Sequence, residues 1–145
     1  MANLILYDSK YGNTEKVARA IADILGAKTA RVQDFQPAML PGVSLLVVGS
    51  PVHAWKPSQL TQDFLKSLSP GSLKGVGVAA FDTRIKGFFS GSASDKVEKD
   101  LVKAGGRSVI KPAKFIVKGP EGPLAEGELE NARHWARHIL ENVKP

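Results

Sequence analysis

Two features of the chain predict an α/β fold with helices on both faces of a parallel sheet. Short, continuously apolar runs recur along it, and segments with apolar residues at helical spacing lie between them. The runs are residues 4–7 (LILY), 45–48 (LLVV) and 76–81 (VGVAAF). A strand with no polar alternation is covered on both sides, so these three belong in the middle of the sheet. Residues 29–32 (TARV) are more polar and suit an edge, and residues 115–117 (FIV) make a fifth strand. Val17, Ile21, Ile24 and Leu25 mark one face of a first helix, and Leu60, Phe64, Leu65 and Leu68 that of a second. Ala93, Val97, Leu101 and Ala104 mark a third helix. The last, with Leu129, Ala132, Trp135, Ala136, Ile139, Leu140 and Val143, is the most strongly patterned. Strands separated by helices imply right-handed crossovers. The connection over 34–42 is short and proline-broken, which predicts one irregular crossover, and residues 118–128 (KGPEGPLAEGE) read as a loop.

The bulk composition narrows the function classes. A chain of 145 residues forms one domain, 1–145, able to bury its core without staples. It contains no cysteine, which excludes thiol catalysis, disulfides and thiolate metal sites. MANLILYDSK lacks a basic leader, and no apolar run approaches the roughly 18 residues that span a bilayer. The expectation is a cytoplasmic protein without membrane insertion. Twenty Lys+Arg against fourteen Asp+Glu leave a net charge of +6. That surplus would suit an acidic partner, but the basic residues are scattered and no aromatics interleave with a basic cluster, so no specific nucleic-acid binding is expected. The densest basic run, residues 107–118 (RSVIKPAKFIVK), alternates charged with apolar residues as a strand with one wet face would. His134, His138 and Glu130 have a spacing that could hold a metal. They alternate with the core positions Trp135 and Ile139, and are read as a solvated face.

In an open parallel sheet, ligands bind outside the carboxyl ends of the strands. Three loops are expected there: residues 8–13, 50–57 and 82–90. In the first, Ser9-Lys10-Tyr11-Gly12-Asn13-Thr14 leads into a helix whose free N–H groups favour an anion, with Gly12 easing the turn and short polar side chains around it. A helix cap by Asn13 or Thr14 with nothing bound would use the same residues. Neither a dinucleotide G-x-G-x-x-G nor a triphosphate G-x-x-x-x-G-K-[ST] is present, which leaves a phosphate on a smaller molecule.

The stretch SKYGNT resembles the phosphate loop of the flavodoxins, [ST]-x-T-G-x-T, between first strand and first helix, with Tyr11 where that family usually has Thr. The resemblance runs on through VVGSPVHAW and VAAFDTR to the final helix. It implies a flavodoxin-like three-layer sandwich whose five-stranded sheet has the order 2-1-3-4-5, and FMN as cofactor. Ser9 through Thr14 would hold the phosphate. Ser50, Pro51, Val52, His53, Ala54 and Trp55 would lie at the isoalloxazine, with Trp55 stacked on it for about 0.5–1.5 kcal/mol beyond area burial. Phe81, Asp82, Thr83, Arg84 and Phe88 would border its pyrimidine end, Phe88 covering the second face. Ser92 and Asp95 read instead as a capping box for the third helix.

Arg84 departs most from acidic flavodoxins. A guanidinium about 6 Å from the reduced, anionic ring would favour it by roughly 3 kcal/mol at an effective dielectric near 20. The expectation is a less negative potential for the last reduction step, unless Arg84 pairs with Asp82 or points to solvent. The resemblance implies an electron-transfer protein working between redox partner proteins, as a monomer or weak dimer. The alternative is an FMN-dependent reductase of quinones or similar acceptors, including a protoporphyrinogen-oxidase-like activity.

Overall fold

The computed structural model describes residues 2–53, 55–86 and 93–143. The apolar runs become the strands β1 (Ala2–Tyr7), β3 (Val43–His53) and β5 (Gly77–Ile85), while the polar β2 (Lys28–Arg31) takes an edge. Ile5, Leu6, Val47, Val48, Ala79 and Ala80 have no exposed surface, as expected of strands covered on both faces. Helix α1 (Asn13–Leu25) starts after Gly12 and stops at Gly26, whose φ of 60° is the left-handed termination that glycine adopts without penalty. Two single 3₁₀ turns, Val32–Asp34 and Pro37–Met39, replace a helix between β2 and β3, so this crossover is irregular as predicted. The remaining helices are α2 (Gln59–Ser67), α3 (Ala93–Lys103) and α4 (Glu128–Asn142).

The sheet departs from the expected five strands in the order 2-1-3-4-5. Among the described residues it has seven, in the order β2-β1-β3-β5-β6, with β4 (Lys56–Pro57) paired to β3 and β7 (Ala113–Val117) paired to β5. Two local events cause the difference. The chain after His53 folds back antiparallel, Val52 opposite Pro57 and His53 opposite Lys56, and this short return takes the fourth place in sequence. The run 107–118 is divided into β6 (Arg107–Ser108) and β7, so it is not one wet-faced strand; Pro112, which has no N–H to give a ladder, stands between the pieces. Both pieces lie parallel to β5, one beside Gly77 and Val78, the other beside 81–85.

The central strands also run further than their apolar stretches. Residues 50–53 and 82–85, expected in loops, are the last residues of β3 and β5. They remain strand because β7 supplies hydrogen-bonding partners to β5, from Phe81 beside Ala113 to Ile85 beside Val117, and β4 does so for the end of β3.

Side chains alternate across the sheet into two separate cores. Ile5, Tyr7, Val47, Ala79 and Phe81 face α1 and α4, packing with Val17, Ile21, Ala132, Ala136 and Ile139. Leu4, Leu6, Leu46, Val48, Val78 and Ala80 face α2 and α3, packing with Phe64, Leu65, Leu73, Val97 and Leu101. Gly49 lies against the Phe81 ring, where a Cβ would overlap ring carbons. Strand order reverses between β1 and β3, which opens a crevice at their carboxyl ends.

Candidate functional site

A cleft of about 240 Å³ occupies this crevice. Its walls come from the β1–α1 loop, the end of β3, the end of β5 and the segment after β7.

The β1–α1 loop is shaped around Ser9. Its hydroxyl accepts from the Gly12 N–H at 3.1 Å and the Glu15 N–H at 3.2 Å, which closes the loop over the first turn of α1. Gly12 holds the turn at φ 92°, a left-handed conformation that costs a side-chain-bearing residue about 1–2 kcal/mol. The N–H groups of Lys10, Tyr11, Asn13 and Thr14 have no hydrogen-bond partner among the described residues. Such a concentration of donors at the positive end of a helix is an anion cradle. Asn13 and Thr14 line the cleft as well, and their side chains tie the loop to neighbouring segments. Asn13 Nδ2 donates to the Glu121 carbonyl at 3.2 Å, and the buried Thr14 hydroxyl lies 2.8 Å from the Thr83 hydroxyl. Neither side chain caps α1, so the helix-cap alternative does not describe this loop.

At the end of β3, Pro51, Val52 and His53 line the cleft, and His53 is exposed. Ser50 does not reach it. Its fully buried hydroxyl accepts from the Ser58 N–H at 3.0 Å, beside the cap that Ser58 forms on α2 by accepting from the Thr61 N–H at 3.4 Å. Trp55 stands at the tip of the β3–β4 hairpin, 55% exposed, with a φ of 66°. It is the only non-glycine residue with positive φ among those described, and such strain gathers at functional sites. Ala54 and Phe88 lie outside the described residues, as does Ser92 of the expected capping box.

At the end of β5, Thr83, Arg84 and Ile85 line the cleft. Phe81 turns the other way, into the core, edge-on to Phe115 at 5.9 Å and Trp135 at 6.0 Å between centroids. The two-residue period of the strand puts it on the α1/α4 face with Ala79. Asp82 lies behind the cleft with no exposed surface, accepting from Arg84 Nε at 2.9 Å, Arg84 Nη2 at 2.7 Å and the Ser94 N–H at 2.9 Å. Arg84 thus presents the positive end of a buried ion pair to the cleft, and the paired alternative describes it.

Three wall residues escaped sequence reasoning: Ile85, Val117 and Pro120. The carboxyl end of β7 was the available signal for Val117. Arg31 also escaped it. From the end of β2, its Nη1 donates to the Ser9 carbonyl at 3.0 Å, a contact across 22 residues that spacing does not reveal. On α1, the Arg19 guanidinium bonded to Glu15 holds that carboxyl below the ordinary glutamate range. Burial, and then the neighbouring Glu15 charge, push the Tyr7 phenol up. On α4, His134 and His138 are exposed, and no group of metal-binding side chains occurs among the described residues. None of the helices there is long and apolar enough to cross a membrane.

An anion cradle and a switch-point crevice beside it together define a doubly wound α/β protein with a cleft suited to an anionic ligand. The flavodoxin family profile matches residues 5–135, and the chain belongs to the flavodoxin family. Members of that family bind flavin, typically FMN. An uncharacterized protein of Methanocaldococcus jannaschii is 29% identical over 157 aligned positions, covering 98% of this chain and all of that one. Among solved structures, oxidised flavodoxin 1 from Bacillus cereus superposes with a TM-score of 0.83 at 16% identity, covering 99% of this chain and 100% of its own. A flavodoxin from the domain Archaea gives 0.83 at 22% identity, with both chains fully covered.

Proposed function

We propose that the protein is a one-domain FMN electron carrier. The observation that carries this reading is the Gly12 cradle: four N–H groups without partners among the described residues, on a cleft lined by the 49% exposed Tyr11, with the exposed Trp55 two residues beyond its His53 wall. The chain's residues fit the cofactor in distinct ways. The N–H groups of Lys10, Tyr11, Asn13 and Thr14 would take the phosphate, and Tyr11 and Trp55 would lie against the ring. Thr83 and Arg84 would donate to its polar edge. At about 0.3 kcal/mol per heavy atom, a ligand of about thirty atoms gains about 9 kcal/mol, which is submicromolar binding. FMN, when bound, supplies the redox chemistry, and the protein supplies position and electrostatics. A carrier needs an exposed ring edge rather than a second substrate pocket, and the exposure of Tyr11 and Trp55 suits that need better than a reductase of quinones or porphyrinogens. Purified protein titrated with FMN should quench the flavin's fluorescence and shift its visible bands; protein that leaves both unchanged is not a flavodoxin in function.

The partner follows from the charge around the mouth. Lys10, Lys56 and Lys86 are exposed on the segments after β1, β3 and β5, whose acidic residues Asp8 and Asp82 are buried, while on the fourth wall the exposed Lys118 and Glu121 offset each other. An acidic redox protein fits this face. The loaded, reduced protein should reduce succinylated cytochrome c faster than native, basic cytochrome c, and added salt should slow the first reaction. Equal rates with no salt dependence would remove the acidic partner and leave FMN binding intact.

A further inference from the structure

Arg31 reaches the phosphate loop from the neighbouring strand through one contact to the loop and two that fix its own side chain. Nη1 donates to the Ser9 carbonyl at 3.0 Å, Nη2 lies 3.4 Å from Glu15 Oε1, and the guanidinium carbon sits 5.4 Å from the centre of the Tyr7 ring. The last two keep the side chain over the loop, because the ring faces the cation and the carboxylate bridges it to α1.

The first contact has a geometric consequence. In a planar trans peptide, C=O and the following N–H point in opposite directions. Drawing the Ser9 carbonyl toward Arg31 therefore turns the Lys10 N–H away from β2. That N–H is the first of the four without a partner, and Lys10 lines the cleft. The Ser9 hydroxyl is fixed as well, by the Gly12 and Glu15 N–H groups. The loop is therefore pinned at both oxygens of Ser9, and among the described residues only Arg31 holds the carbonyl. Charge adds to orientation. Glu15, in the first turn of α1, would repel a phosphate dianion, and Arg31 together with Arg19 offsets it.

We infer that Arg31 is a positioning residue that selects the phosphorylated flavin over riboflavin. The inference rests on the FMN reading and concerns only its phosphate end. It has the chemical form of a specificity determinant because riboflavin shares every group of FMN except the phosphate.

The test compares FMN and riboflavin dissociation constants, measured by fluorescence quenching, for the wild type, Arg31→Ala and Arg31→Lys. Expected are a loss of at least about tenfold for FMN with Arg31→Ala, a change of less than about twofold for riboflavin, and an intermediate FMN affinity with Arg31→Lys, which keeps the charge but not the planar fork. The Lys10 amide resonance should also move on adding FMN to the wild type and move less with Arg31→Ala. Equal losses for both flavins would show general disruption and overturn the inference, as would an unchanged ratio. Should Arg31→Ala fail to fold, Arg31→Lys and Arg31→Gln carry the same comparison. A wild type that binds riboflavin as well as FMN overturns the inference alone; one that binds neither overturns the FMN reading with it.

Discussion

Asp82 is a carboxylate with no exposed surface, tolerable because three donors surround it. Removing one partner of such a pair leaves the other charge buried and uncompensated. Asp82→Ala should destabilise the fold by about 3–5 kcal/mol in urea denaturation, and Asp82→Leu combined with Arg84→Met should recover most of that. The same pairing tempers the electrostatic expectation at the cleft. An unpaired guanidinium would have favoured a reduced ring by roughly 3 kcal/mol, whereas the pair presents a dipole of much shorter reach. The sequence put Asp82 and Arg84 side by side in this region but could not show which atoms face each other. The side chain of Phe81 faces the core for a simpler reason. It lies within the strand, and alternation from Ala79 directs it to the α1/α4 face.

The β3–β4 hairpin is the element whose strain is most open to measurement. Trp55 holds φ 66° at its tip, a conformation glycine adopts without steric cost. Trp55→Gly should make the FMN-free protein about 0.5–1 kcal/mol more stable to urea while weakening its grip on FMN. A Trp lodged among Ser, Pro and Lys, with no apolar helix face to join, was legible as an unusual loop residue, but the hairpin was not, since two-residue strands carry no periodicity. Helix α1 adds a pH dependence. Glu15 is held below its ordinary range in the folded state, chiefly by Arg19. Its contribution is therefore present above the unfolded glutamate range and lost as pH falls through the lower folded value. Glu15→Gln should flatten that part of the acid-stability profile, by a small amount because solvent screens the pair.

At the scale of the molecule, the apolar runs made the three central strands, the edge and the four helices legible, because burial on both faces leaves a direct trace in sequence. Contacts that assemble the site left none: Thr14 with Thr83 spans 69 residues and Asn13 with Glu121 spans 108. These pairings depend on topology, and a linear pattern does not encode which loops meet. The two cores have a further consequence. The sheet backbone stands between Ile139 on one side and Leu73 on the other, both fully buried. Ile139→Ala and Leu73→Ala should each cost about 2–5 kcal/mol, and the double variant should equal their sum within about 0.5 kcal/mol. Such a partition means that one half of the interior can drift or be redesigned without the other having to answer. Selection on the α2/α3 half can then proceed while the α1/α4 half, which carries the β1–α1 loop, stays under its own constraint.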